Sequence, residues 1–159
     1  MRVPAIGGPR RVIEAALAAL EAERVAVEAF SPILATAPLG PSSRRYANAA
    51  AVVASELAPP ALLAVLHGIE RAFGRRRRGA RWRARPLDLD IVVWSGGAWG
   101  SPGLTIPHPA FRHRAFVLAP AAAIAPRWRD PGTGSQMRHL RARLTHPRRL
   151  PSGGGWSGP

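Results

Sequence analysis

The chain contains no cysteine in its 159 residues. Disulfides, thiolate nucleophiles and Cys-ligated zinc are therefore excluded together, and the composition suits a reducing compartment. Lysine is absent too: all 23 cationic side chains are arginine, set against 9 acidic ones, for a net charge of +14. No stretch approaches the ~20 apolar residues of a membrane span, and the N-terminus lacks an apolar segment followed by a cleavage site. The expectation is a cytoplasmic, unexported protein that meets no membrane. Long apolar side chains are sparse as well. The hydrophobic fraction of 47% is largely alanine, so the core must rest on relatively few Leu, Ile, Val, Phe and Trp, and modest stability is expected.

A strongly basic chain must meet anions: nucleic acid, an acidic surface or a phosphorylated small molecule. An arginine bias also arises from a GC-rich genome, so the charge alone does not choose among them. Its distribution is more informative. Seven arginines fall within residues 75–85, and another seven follow residue 126.

The order of elements is alternating, with no internal repeat. Residues 9–23 place Val12, Ile13, Ala16, Leu17 and Leu20 on one helical face, with Pro9 suited to a first turn. Val25, Val27 and Ala29 alternate with polar neighbours as in a strand, and a Pro/Gly-rich loop occupies residues 37–43. "YANAAAVVAS" reads as one strand. Residues 59–74 form a second helix, with Leu62, Leu66, Ile69 and Phe73 at helical intervals and Gly74 at its end. Residues 87–94 read as a strand, the glycines after Ser95 permit a hairpin back to Leu104 and Ile106, and short helices follow. The class predicted is α+β or α/β around one sheet, in a domain over residues 1–130. Residues 131–159 form a basic, Gly/Pro-rich extension with a flexible end.

"RWRARPLDLDIVVW" carries the chemistry. Residues two apart on extended backbone share a face, so Asp88 and Asp90 lie together while Leu87, Leu89 and Ile91 turn to the core. Adjacent carboxylates repel unless a cation lies between them, and Mg²⁺ favours oxygen ligands shared with substrate phosphates. An isolated D-x-D is more often the wet face of a half-buried strand. Here Arg85 stands three residues upstream, with Arg75, Arg77, Arg81 and Arg83 before it, as cations for phosphate oxygens. The same run could be a solvated loop or an RNA-binding patch. Against RNA stands the acidic pair within the basic patch, which repels phosphate unless metal intervenes.

The central block, with "LGPSSRRYANAA" before it and "LTIPHPAFRHRAFVLAP" after it, resembles the 6-hydroxymethyl-7,8-dihydropterin pyrophosphokinases over residues 9–126. The resemblance implies a ferredoxin-like α+β fold and transfer of a pyrophosphoryl group from ATP to the pterin hydroxymethyl group, leaving AMP, with two Mg²⁺ ions. It implies that Asp88 and Asp90 bind metal and that Arg75, Arg77 and Arg85 contact the triphosphate. Trp82 would close over both substrates, with Thr105, His108 and Arg114 on the nucleotide side. Leu39, Tyr46, Asn48 and Phe116 would hold the pterin. Without the resemblance, Asn48 reads as a satisfied strand residue and Phe116 as helix core. His67 and His113 read as exposed or locally bonded. Small-molecule partners and a monomer are expected, and nucleic acid is not; the alternatives are a basic nucleic-acid-binding module or a truncated, inactive copy.

Three positions depart from the family pattern. Arg83-Ala84 stands where Gly-Pro is usual, Pro109 follows His108, and Gly103 precedes Leu104 in place of a basic residue. Family members open with an apolar strand ending in Gly-Ser-Asn, whereas here the first helix follows only eight residues, so the first strand is expected to be missing. The loops about Gly40 and over residues 74–85 lack apolar periodicity and are expected to close over ATP.

Overall fold

The computed structural model describes residues 8–36, 46–74 and 87–146. Within them the chain runs α1 (Pro9–Ala22), β1 (Ala26–Phe30), β2 (Leu34–Thr36), β3 (Tyr46–Asn48), β4 (Ala51–Ala54), α2 (Pro59–Gly74), β5 (Trp99–Ser101), β6 (Leu104–Ile106), α3 (Ala115–Ile124) and α4 (Met137–Thr145), with a 3₁₀ turn at Phe111–His113. Helices and small antiparallel ladders make this an α+β fold. Residues 1–7, on which the expectation of a missing first strand falls, lie outside the described residues.

Apolar spacing sets both early helices. In α1, Val12, Ala16 and Leu20 recur every fourth residue and are buried, while Arg10 and Glu14 pair on the outer side at 3.1 Å. Leu66 and Ile69 are the buried anchors of α2. Together with Val25 and Leu87 they form one core cluster, against which Val27, Val53, Leu62, Phe73, Leu89 and Ile91 pack. A second cluster comprises Phe111, Leu118, Ala122, Met137 and Leu140, with Val92, Val93, Val117 and Leu144 beside it. The stretch between Leu87 and Val93 thus contributes first to one core and then to the other.

Pairing differs from the single sheet expected. Among the described residues there are three two-stranded antiparallel ladders: β1 with β4, β2 with β3, and β5 with β6. "YANAAAVVAS" is two strands. The break at Ala49 and Ala50 lies opposite buried Ser31, whose N–H donates to the Ala50 carbonyl and whose Oγ accepts from the Ala50 N–H, both at 2.9 Å. A hydroxyl there replaces a backbone carbonyl, so the polar groups are satisfied while regular pairing stops. Glu28 adds an extra residue to β1, where the register slips between Val27 and Ala29.

The strand expected over residues 87–94 joins no ladder among the described residues, Trp94 making only an isolated bridge to Gly97. Alternation of apolar and acidic residues fixes which face each side chain takes; it cannot supply a neighbouring strand. Likewise Leu104–Ile106 pairs with Trp99–Ser101 rather than with residues 87–94, through a turn at Pro102 and Gly103. Gly103 has φ +80°, a conformation that costs an L-residue about 1 kcal/mol. Gly103→Ala is expected to lower the melting temperature by ~2–4 °C. An unchanged melt would show that the turn relaxes freely.

Within the stretch after Pro131, α4 packs on α3, with Met137 and Leu140 buried. Asp130, fully buried, accepts from Arg112 Nε at Oδ2 and from Arg112 Nη2 at Oδ1, each at 2.6 Å. It also accepts from the Gly132 N–H at 3.0 Å and the Thr133 hydroxyl at 2.6 Å. Four donors on one carboxylate tie the segment before α4 to the 3₁₀ turn.

Candidate active site

The site begins with residues 87–93. Leu87 is buried and Leu89 and Ile91 lie against the first core, which turns Asp88 and Asp90 outward, both exposed. With no ladder there among the described residues, the Leu89 N–H donates to Glu70 Oε1 on α2, at 2.7 Å. That bond lies between the two aspartates in sequence and fixes the backbone that presents them. Glu70 stood out in no sequence pattern, because a lone Glu on the polar side of an amphipathic helix normally faces water.

The next stretch is tied back to this one. The His108 N–H donates to the Val92 carbonyl at 2.9 Å, placing His108 beside the end of the aspartate-bearing segment. His108 Nδ1 accepts from the Ala110 N–H at 3.2 Å, which in the neutral ring leaves Nε2 as the donor. In β6, Leu104 and Ile106 are buried and Thr105, between them, is exposed. Arg114 caps the start of α3 through its carbonyl, which accepts from the N–H groups of Val117 and Leu118. Its guanidinium lies 5.8 Å from the centre of the Phe116 ring. Phe116 is half-buried and belongs to neither core cluster, contrary to the core role its apolar helix suggested.

The pterin-side candidates come from another part of the chain. Tyr46 is 44% exposed at the start of β3, opposite Thr36, and Asn48 is half-buried opposite Leu34. The helix carrying Phe116 packs against β2 and β3, so tertiary structure unites two sequence blocks more than sixty residues apart. Leu39, Arg75, Arg77, Trp82 and Arg85, with the loops expected to close over ATP, lie outside the described residues. His67 and His113 are exposed, as the bland reading of them expected.

The conserved order of such blocks is what a family profile measures. The profile of 7,8-dihydro-6-hydroxymethylpterin-pyrophosphokinase matches residues 5–126. The chain belongs to this family. It is 42% identical over 125 residues to the 2-amino-4-hydroxy-6-hydroxymethyldihydropteridine pyrophosphokinase of Pseudomonas aeruginosa, covering 77% of this chain and 76% of that one. To the protein of that name from Synechocystis it is 39% identical over 116 residues, covering 73% of this chain and 59% of its relative. A mitochondrial folate synthesis bifunctional protein of Arabidopsis thaliana is 38% identical over 116 residues, 72% of this chain and 21% of the plant protein. The chain thus spans about three fifths of the Synechocystis pyrophosphokinase and three quarters of the Pseudomonas one.

The exposed carboxylates are donors of the kind a hard divalent cation takes. Among the described residues no group of three or more His, Asp or Glu forms a protein cage, and the two exposed carboxylates offer hard oxygen ligands on one face. Mg²⁺ is commonly held by one or two carboxylates, with water and substrate phosphate completing its shell.

Proposed function

We propose that the chain catalyses pyrophosphoryl transfer from ATP to 6-hydroxymethyl-7,8-dihydropterin, giving AMP and the pterin diphosphate for folate synthesis, on a ferredoxin-like α+β scaffold. The observation that carries the reading is the outward presentation of Asp88 and Asp90 from a segment anchored on its other side in the core, within the family's matched region. The pterin hydroxymethyl oxygen attacks the β-phosphorus of ATP. A bond from that oxygen to the β-phosphorus forms, the bridge from the α-phosphate oxygen breaks, AMP departs and the hydroxyl proton passes to solvent.

The protein's share in such a reaction is positioning and neutralising charge rather than covalent chemistry. Asp88 and Asp90 would hold two Mg²⁺ ions, which when bound offset the charge of the phosphate oxygens. Arg75, Arg77, Arg85 and Arg114 supply further positive charge, and His108 donates from Nε2 on the nucleotide side. Asn48, carrying both donor and acceptor, reads the pterin edge, while Phe116, Tyr46 and Leu39 enclose its ring. Trp82 covers the site, and Thr105 lines its nucleotide side.

The deciding experiment incubates the chain with ATP, Mg²⁺ and the reduced pterin. AMP should appear in step with pterin diphosphate, and neither should appear without the pterin. A cooperatively folded protein that forms no AMP, or that releases ADP instead, would overturn the assignment.

A further inference from the structure

The family profile ends at residue 126, yet the chain continues into a folded piece with a surface of its own. Residues 126–129 run beside the start of α4: the Arg138 N–H donates to the Pro126 carbonyl at 3.2 Å, the Met137 N–H to the Trp128 carbonyl at 2.9 Å, and Arg129 bridges Gln136. Met137 and Leu140 face inward and Arg138, His139, Arg141 and Arg143 are exposed, with Arg138 and Arg141 on one flank of α4 and Arg143 on the opposite flank, while Arg127 and Arg129 are exposed on the segment beside the start of the helix.

Among the described residues none of these exposed arginines pairs with a carboxylate. Asp130 is the single acidic residue after Asp90, and it is buried and engaged by Arg112. The bonds of the exposed arginines run to neutral acceptors: Arg129 Nη1 to the Gly134 carbonyl at 2.9 Å, Arg138 Nε to Gln136 Oε1 at 2.8 Å and Arg143 Nη1 to Ser135 Oγ at 3.4 Å. Such bonds orient guanidinium groups without cancelling their charge. Genome composition does not explain the pattern, since α1 of the same chain intersperses Glu14 and Glu21 with Arg10 and Arg11. Like charges gathered on one short helix repel one another, an arrangement that a polyanion relieves.

A second observation narrows the class of polyanion. Trp128 stands between Arg127 and Arg129 and is 37% exposed, a large aromatic left partly open inside a basic patch. Single-stranded nucleic acid takes phosphate contacts from cations and stacks its bases on exposed aromatic rings. The nine residues of α4 span about 13 Å, the reach of a few consecutive phosphates. We infer that residues 126–146 form a docking surface for single-stranded nucleic acid, with Arg138, Arg141 and Arg143 on phosphates and Trp128 under a base. The objection that applies to the arginine run beside Asp88 and Asp90, acid in the middle of the patch, does not apply here. The inference is independent of the pyrophosphokinase reading.

The test measures anisotropy of a fluorescein-labelled oligouridine 12-mer with the full chain, from 25 to 200 mM KCl, with ATP and Mg²⁺ saturating any nucleotide site. Contacts to three to five phosphates give a log–log salt slope of about 2 to 3.5. R138S/R141S/R143S should reduce that slope by about 2. W128A should weaken binding about tenfold at an unchanged slope. All four side chains are exposed, so melts of the variants should match the parent. The inference is overturned if the triple variant keeps the parent's slope, if W128A binds as tightly as the parent, or if the chain binds phosphatidylserine vesicles or a polyglutamate peptide but not the oligonucleotide.

Discussion

Asp90→Ala and Asp88→Ala are each expected to reduce AMP formation by on the order of a thousandfold while the melting temperature stays within a degree or two of the parent. The two halves of this result come from opposite faces of one segment. Leu87, Leu89 and Ile91 hold it in the core, and the aspartates, both exposed, are not among the residues of that core. In the proposed reaction, removing either carboxylate would take away a ligand for the cation that would offset phosphate charge. Asp90→Asn should be almost as impaired as Asp90→Ala, because shape is kept and charge is lost. Raising Mg²⁺ should recover part of the activity if the defect lies in metal affinity. A variant that retains near-parental turnover would remove these residues from the mechanism. A variant that loses turnover and also melts much earlier would mean that they serve the fold.

Glu70 offers a graded comparison in the same assay. It accepts from the Leu89 amide, so Glu70→Gln, which keeps an acceptor oxygen, should cost far less than Glu70→Ala. Equal activities of the two variants would show that the bond does not hold the aspartates in place.

The largest effect on stability is expected at Arg112 and Asp130. The Asp130 side chain is 0% exposed and that of Arg112 is 28% exposed, so the two halves of the pair are not equivalent. Removing the arginine strands a buried carboxylate, whereas removing the carboxylate leaves an arginine that can turn to water. Arg112→Leu should therefore cost about 3 kcal/mol, a fall of ~6–12 °C in melting temperature, and Asp130→Asn should cost less. The Arg112 fork, helped by the Thr133 hydroxyl and the Gly132 N–H against the opposing effect of burial, holds the Asp130 carboxyl down to about 2 from an ordinary 3.8. Because the folded-state value is depressed, the contribution is complete above pH 4 and is lost as pH falls through about 2. By linkage it amounts to roughly 2 kcal/mol. In Arg112→Leu, which removes the chief cause of the depression, the part of the acid-side loss that Asp130 contributes below about pH 4 should shrink. Melts of the two variants that coincide, or an acid limb that stays where it was, would contradict this account.

The sequence determined what repeats with a period or depends on neighbours along the chain. The apolar intervals of α1 and α2 were legible, as was the opposition of Asp88 and Asp90 to Leu87, Leu89 and Ile91, because a helix or an extended segment sorts its side chains by spacing alone. Tertiary structure decided which distant groups meet. Alternation in residues 87–93 showed two faces but could not reveal that no ladder forms there among the described residues, or that Glu70, 19 positions earlier, takes the Leu89 N–H. Nothing distinguished Arg112 among 23 arginines until the fold brought Asp130 to it across 18 residues. The basic face of α4 became legible only when Met137 and Leu140 were seen to point inward and Asp130 to be buried. Periodicity reports local geometry, but the choice of a polar partner depends on burial, which makes an unpaired charge or N–H costly and is a property of the whole fold.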